Sequence, residues 1–382
     1  MRRAWLVGLL PGLVLVVGVL IVGCGATSEP LPAAVQAIVD TSQRSKWMTT
    51  GDDPWDVFVC HVPSDSQSPF YAGLPLRAPL TPTRIAALLD DKVGAYFTTL
   101  SHGLYHPSFR AGGEVTIGAT DEPQACVDKA LSAATDSARG VIAIADAEHN
   151  ADEPGGFANP GTGCAAPPCS ASVTRRSAYV GAADFSSDWG DRPPMDLIEH
   201  EIGHALGWPH SGANGSRVDG TSSALDVMGN SAAPRSVDGS RRDAPATLAV
   251  NLLAAGWLPR SAVAVVPHSG ATVMLAPSAG TVGKRVAVVG LDDHSFLTVE
   301  LLTDDGFDDH LPATGVAVHL IDASGATRTQ TPLIGIEPFD DLLTNAETFS
   351  GMGWRISVAA TKPDEWTVTA QPLDDAPTVS SQ

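Results

Sequence analysis

The stretch His200-Glu201-Ile202-Gly203-His204-Ala205-Leu206-Gly207-Trp208-Pro209-His210 (HEIGHALGWPH) organises the reading of the whole chain. Asp191 and the prolines at 193 and 194 mark a helix start, and residues 195–206 continue it. His200 and His204 then stand one turn apart on the same face, within reach of a single ion. Glu201 sits beside the first of them and reaches a metal-bound water rather than the metal. Gly207 can adopt the left-handed backbone that stops a helix and turns the chain back. Pro209 forbids continuation, and His210 arrives as a third ligand. Three protein nitrogens leave one position open, the arrangement of a catalytic rather than a structural zinc. A lone His-Glu-x-x-His arises by chance in helices that bind nothing. Gly207 and His210 at their fixed spacing are what make the pattern specific.

Upstream of this stretch, residues 55–62 (WDVFVCHV) read as a strong strand. Thr81 caps a helix that has Pro82 in its first turn, and Ile85, Leu88, Leu89, Val93, Tyr96, Phe97 and Leu100 follow helical spacing. A strand near 114–119, a helix near 123–138, a buried strand at 141–145 and a further strand at 178–185 come next. This alternation indicates an α/β arrangement with parallel strands. Residues 147–176 are rich in Gly, Pro and Ala and read as a long loop.

Downstream, a short helix over 246–255 ends at Gly256, a C-cap residue. Short apolar runs then recur at 263–266, 272–275, 285–289, 296–301, 315–320, 355–359 and 366–370, with Gly, Pro and Asp between them. Regular short strands with turn signals mean an all-β sandwich or barrel. The length of 382 residues suits two domains. The expectation is an α+β catalytic domain over 52–260, built on a mixed twisted sheet with the active-site helix, then a β-sandwich-like domain over 261–372. Residues 373–382 carry no apolar periodicity and read as a disordered tail.

The motif matches the long metzincin signature His-Glu-x-x-His-x-x-Gly-x-x-His at every specified position. Asp226-Val227-Met228-Gly229, eighteen residues beyond His210, resembles the Met-turn of that family, whose methionine forms an apolar floor beneath the zinc. Within the family the chain is most similar to the gametolysin and immune-inhibitor-A-like secreted peptidases, through residues 252–258 (LLAAGWL) and 315–322 (GVAVHLID). The catalytic resemblance covers residues 52–260. It implies a zinc endopeptidase of metzincin-like fold, with Zn2+ on His200, His204 and His210, Glu201 as general base and a protein or peptide as substrate. It also implies an antiparallel edge strand above the cleft, for which residues 178–185 are a candidate; an inner position for that strand is equally open. Some metzincins place a tyrosine two residues after the Met-turn methionine; here that position is Asn230, so no tyrosine role carries over. Cys60-His61-Val62-Pro63 faintly resembles a latency cysteine element, against which stands a disulfide with Cys126.

At the N-terminus, Arg2 and Arg3 precede an apolar stretch over 4–23, which reads as an export signal. It closes on Ile21-Val22-Gly23-Cys24 and resembles the lipobox of bacterial lipoproteins, so residues 1–23 are expected to be removed and Cys24 lipidated. An uncleaved signal anchor is the alternative. Either way the body lies outside the cytoplasmic membrane and is held to it, with residues 24–51 as a polar tether. The remaining cysteines, Cys60, Cys126, Cys164 and Cys169, are an even set in an oxidising compartment. Cys164 and Cys169 flank Ala-Ala-Pro-Pro and could close a small loop, leaving Cys60 for Cys126, although four cysteines permit three connectivities.

Acids outnumber bases 43 to 23, which argues against nucleic acid as a partner, because phosphate binding needs concentrated Lys and Arg. Asp304, Asp305, Asp308 and Asp309 offer oxygens to calcium but lack EF-hand spacing, and they read more readily as a solvated loop. Asp184, Asp188 and Asp191 are a similar case. His102 and His106 read as loop or core residues, and Trp208 as packing beside the site. Two other functions fit the residues: a non-catalytic binding or adhesion lipoprotein on the same scaffold, and zinc amidohydrolysis of a non-protein substrate. Retention of Glu201 favours catalysis, because a scaffold that only binds has no chemical need for a base.

Overall fold

Strand β1 (Gly51–His61) is the spine of the N-terminal half of the computed structural model, which describes residues 30–47, 49–72, 77–147, 155–161, 175–212, 223–325, 328–334 and 342–373. Among the described residues the fold is mixed α+β with three sheets. In the first sheet β1 pairs in parallel with β2 (Tyr105–Thr116) and β3 (Gly140–Ala145), and β3 with β5 (Arg176–Val180). Strand β4 (Gly156–Asn159) pairs antiparallel with β5 and forms the edge, so the order is β2-β1-β3-β5-β4. Every residue of β3 is buried, as a strand covered on both faces requires, and its Gly-Val-Ile-Ala-Ile-Ala run is apolar throughout.

Alternation along β1 separates the two faces. Trp55, Val57 and Val59 pack with helices α2 (Pro82–Asp91) and α3 (Val93–Leu100). Phe58 and Cys60 point the other way, onto α4 (Gln124–Ala133), where Cys60 is bonded to Cys126. The Thr81 hydroxyl accepts the Arg84 N–H, the cap expected of that helix.

Several elements differ from expectation. The 81–100 helix breaks at Lys92 into α2 and α3. Strand β2 begins at Tyr105, so His106 lies on a strand, exposed, and His102 occupies the turn before it with φ 54°. Helix α1 (Ala33–Arg44) lies within the segment read as an irregular tether, and it buries Ala34, Val35 and Ile38. The long loop after β3 contains β4, and β5 stops at Val180, followed by 3-10 turns at Ala183–Phe185 and Ser187–Trp189.

Beyond the motif helix α5 (Asp196–Ala205) come α6 (Ala233–Val237) and α7 (Ala249–Ala255), which ends at Gly256 with φ 81°. Two further sheets follow. One has the order β11-β10-β9-β8-β6, from β6 (Val263–Val266), β8 (Val286–Gly290), β9 (Ser295–Leu302), β10 (Gly315–Asp322) and β11 (Thr329–Pro332). The other has the order β12-β13-β14-β7, from β7 (Ala271–Leu275), β12 (Thr348–Gly351), β13 (Trp354–Lys362) and β14 (Glu365–Pro372). They enclose a second core that includes Leu297, Val299, Val316, Ile356, Trp366 and Val368.

The opposite face of the five-stranded sheet is also covered. Val286, Val288, Phe296 and Ile321 belong to the same cluster as α1, α5 and α7. The core of the first sheet therefore runs on past residue 260 without interruption, and strand β11 is brought beside the motif. Among the described residues no helix is long and apolar enough to cross a membrane. Residues 1–29, with the expected signal and Cys24, and residues 374–382 lie outside the described residues.

Candidate metal centre

Helix α5 starts where the prolines predict, with Met195 donating its N–H to the Arg242 carbonyl (2.7 Å) and acids Asp196 and Glu199 in the first turn. It stops at Gly207, whose φ of 82° is the left-handed value the motif anticipates. There Gly207 donates to the His204 carbonyl (2.9 Å) and Trp208 to that of Gly203 (3.0 Å). Trp47 covers this turn: a Cβ added at Gly207 would lie 2.6 Å from its ring.

The three histidines converge. One ring nitrogen of each of His200, His204 and His210 lies within 4.8 Å of the others, and the Nε2 atoms of His204 and His210 are 2.9 Å apart. His200 Nδ1 donates to the Val227 carbonyl (2.6 Å) and His204 Nδ1 to the Trp208 carbonyl (2.8 Å). A carbonyl only accepts, so in both rings the proton sits on Nδ1 and the Nε2 lone pair faces the cluster. Burial, reinforced by repulsion from His204 and His210, holds His200 down to about 3; burial and His210 hold His204 to about 4. Both rings are therefore neutral at ordinary pH, the form that ligates.

Glu201 is 3% exposed, and its Oε2 is buried with no hydrogen-bond partner among the described residues. Burial pushes its carboxyl up to about 8, a tendency that a cation on the three imidazoles would oppose. This orphaned oxygen, the two neutral, oriented nitrogens of His200 and His204 and the converging His210 fit a zinc ion. Met228 is fully buried, with its sulfur against the helix backbone: a Cβ added at Gly203 would lie 2.3 Å from Met228 Sδ. Trp208 packs on Phe97 and Trp257, in the structural role expected of it.

Strand β4 lies directly over α5. A Cβ added at Gly156 would stand 2.6 Å from Glu201 Cγ. The strand bordering the site at the sheet edge is thus β4; of the two positions open to the strand read at 178–185, the inner one holds, because β5 is hydrogen-bonded to β3 and β4 on its two sides. Beside His204 and His210 opens a cavity of about 370 Å³, walled by Ile38 of α1, Trp47, Ala158 of β4 and Arg328. None of these four was singled out from sequence, since each stands far from the motif in the chain.

The other residues are placed as follows. Cys60 and Cys126 are bonded, with Cα atoms 5.7 Å apart, so Cys60 is no ligand to the cluster. Cys164 and Cys169 lie outside the described residues. Among the described residues the three histidines are the only group of three or more His, Cys, Asp or Glu side chains whose ligand atoms converge, and neither acidic cluster brings three carboxylates together. Asp308 instead accepts the Ala246 N–H (2.9 Å), Asp309 pairs with Arg241, and Asp184 faces Arg235 at 3.9 Å. No protein-family model and no curated protein matches this sequence.

Proposed function

We propose that the chain is a zinc-dependent endopeptidase of the metzincin type, exported and lipid-anchored through Cys24, with a β-sandwich domain behind the catalytic domain. One observation carries the reading: three converging imidazole nitrogens with a buried carboxylate beside them whose Oε2 has no partner among the described residues, beneath an antiparallel edge strand. His200, His204 and His210 would hold a zinc ion, which would supply the Lewis acidity that makes water nucleophilic at neutral pH. Glu201 takes the proton of the attacking water and passes it to the leaving amine. Among the described residues strand β4 is hydrogen-bonded on one side only, to β5, so its outer edge can hold an extended peptide as a further strand. Met228 supports the helix from below at Gly203.

The test is cleavage of a peptide library by the full chain before and after chelation, then with zinc restored. Cleavage lost on chelation and regained with zinc supports the proposal. A zinc-loaded chain that cleaves nothing makes the site a binding module instead.

A further inference from the structure

Two of the three candidate ligands stand on one rigid helix; the third does not. His210 lies beyond the Gly207 turn on irregular chain, outside the helix, with its Nε2 2.9 Å from that of His204. Its neighbours are held from a distance. Gln330 of β11, 1% exposed, donates its side-chain Nε2 to the Pro209 carbonyl (3.2 Å) and to Ser211 Oγ (3.0 Å). Its main-chain carbonyl accepts the Gly212 N–H (3.0 Å), and Ser211 and Gln330 form a parallel bridge. Pro209 O can only accept, so the amide orientation is settled.

On its other side Ser211 donates its N–H to the Met228 carbonyl (2.9 Å) and its hydroxyl to Asp226. Asp226 also accepts from Thr247 (2.8 Å) and from Asn251 of α7 (3.3 Å). The neighbouring Val227 carbonyl orients His200. The 226–228 turn thus restrains the first ligand and the third ligand's neighbour, and Gln330 closes the clasp from the C-terminal sheet.

We propose that Gln330 is a positioning residue for His210, which makes the C-terminal sheet part of the metal centre. The inference rests on the reading of the three histidines as zinc ligands. It requires no particular substrate. Without the amide donor, Pro209 O and Ser211 Oγ lose a shared buried partner and His210 loses its fixed approach. A ligand that must be re-ordered on each binding event weakens the site and loosens its geometry.

The experiment uses the full chain with Gln330→Glu, which keeps the shape and, when ionised, has no donor, and Gln330→Met, which keeps the length without polarity. Zinc affinity is read by competition with a chromophoric chelator, and ligand geometry by the visible spectrum of the cobalt(II)-loaded chain. Melting of the metal-free chain reports folding. Zinc should bind about 10- to 100-fold more weakly, more so in Gln330→Glu, with an altered cobalt spectrum. Thr331→Ala, next to it on β11, should change neither. Wild-type affinity and spectrum in both Gln330 variants overturn the proposal, and so does a wild-type chain that holds no zinc. Should Gln330→Glu fail to fold, Gln330→Met decides. A wild-type chain that holds zinc but cleaves no peptide removes the peptidase reading and leaves Gln330 to be judged by affinity and spectrum alone.

Discussion

Gly156 of the edge strand lies against Glu201 of the motif helix so closely that a Cβ there would stand 2.6 Å from Glu201 Cγ and 2.6 Å from the Tyr179 carbonyl. Glycine is the residue that lets β4 pair with β5 and still pass over the carboxylate. Gly156→Ala should push Glu201 aside or lift β4, while the three histidines stay in place. Displacement of the base by about an ångström predicts a loss of roughly 100-fold in kcat/KM with zinc content unchanged. Steady-state kinetics beside metal analysis checks this; wild-type kinetics would show that the contact is not part of the working site.

The disulfide between Cys60 and Cys126 ties α4 to β1 on the face of the sheet opposite the histidines. It closes a loop with a sequence separation of 66 residues. Replacing both cysteines by alanine should cost about 2–5 kcal/mol of unfolding free energy, chiefly by freeing the unfolded chain. Urea unfolding measures the loss. Zinc content of the variant should equal that of the wild type, because no ligand contacts α4.

His319 on β10 supplies a pH dependence of known sign. It is 0% exposed, neither ring nitrogen has a hydrogen-bond partner among the described residues, and burial holds its pKa down to about 4 against 6.5 unfolded. A histidine depressed in the folded state contributes stability above pH 6.5 that is lost as pH falls toward 4. The full loss is roughly 3 kcal/mol. The stability difference between wild type and His319→Leu, followed by urea unfolding at a fixed zinc concentration, should therefore shift against the wild type between pH 6.5 and 4. A difference independent of pH contradicts the assignment.

Much of the frame was legible because it follows strong periodicities. Strand β3 is an apolar run, the parallel strands β1 and β5 each contain apolar residues in sequence, and the seven alternating runs downstream of 260 all coincide with strands. What escaped were edges. Strands β4, β11 and β12 have four residues each and lie at the ends of their sheets. Four residues have too few inward positions to establish a period, and the edge strand β6 was legible at that length because its Val-Ala-Val-Val run is apolar throughout. Two of these edges matter most to the site, since β4 crosses Glu201 and β11 carries Gln330. Helix α1 escaped for another reason: part of its buried face is Ala34 and Ser42, residues with little hydrophobic signal.

The candidate site divides the same way. The ligands and the base are encoded by local spacing on one helix and one turn, so the motif alone named them. Trp47 over Gly207, Gly156 beside Glu201 and Gln330 on Pro209 and Ser211 are contacts between segments far apart in the chain. Spacing carries no information about such contacts; only the fold brings them together.

The central claim is that Glu201 does chemistry at a zinc ion held by the three histidines. The direct test compares zinc content and peptide cleavage in the wild type and in Glu201→Gln, which keeps the shape and removes the base. The account predicts stoichiometric zinc in both, with cleavage lower by about 10²- to 10⁴-fold in the variant. Cleavage at the wild-type rate in Glu201→Gln, or cleavage by a wild-type chain stripped of metal, would contradict it.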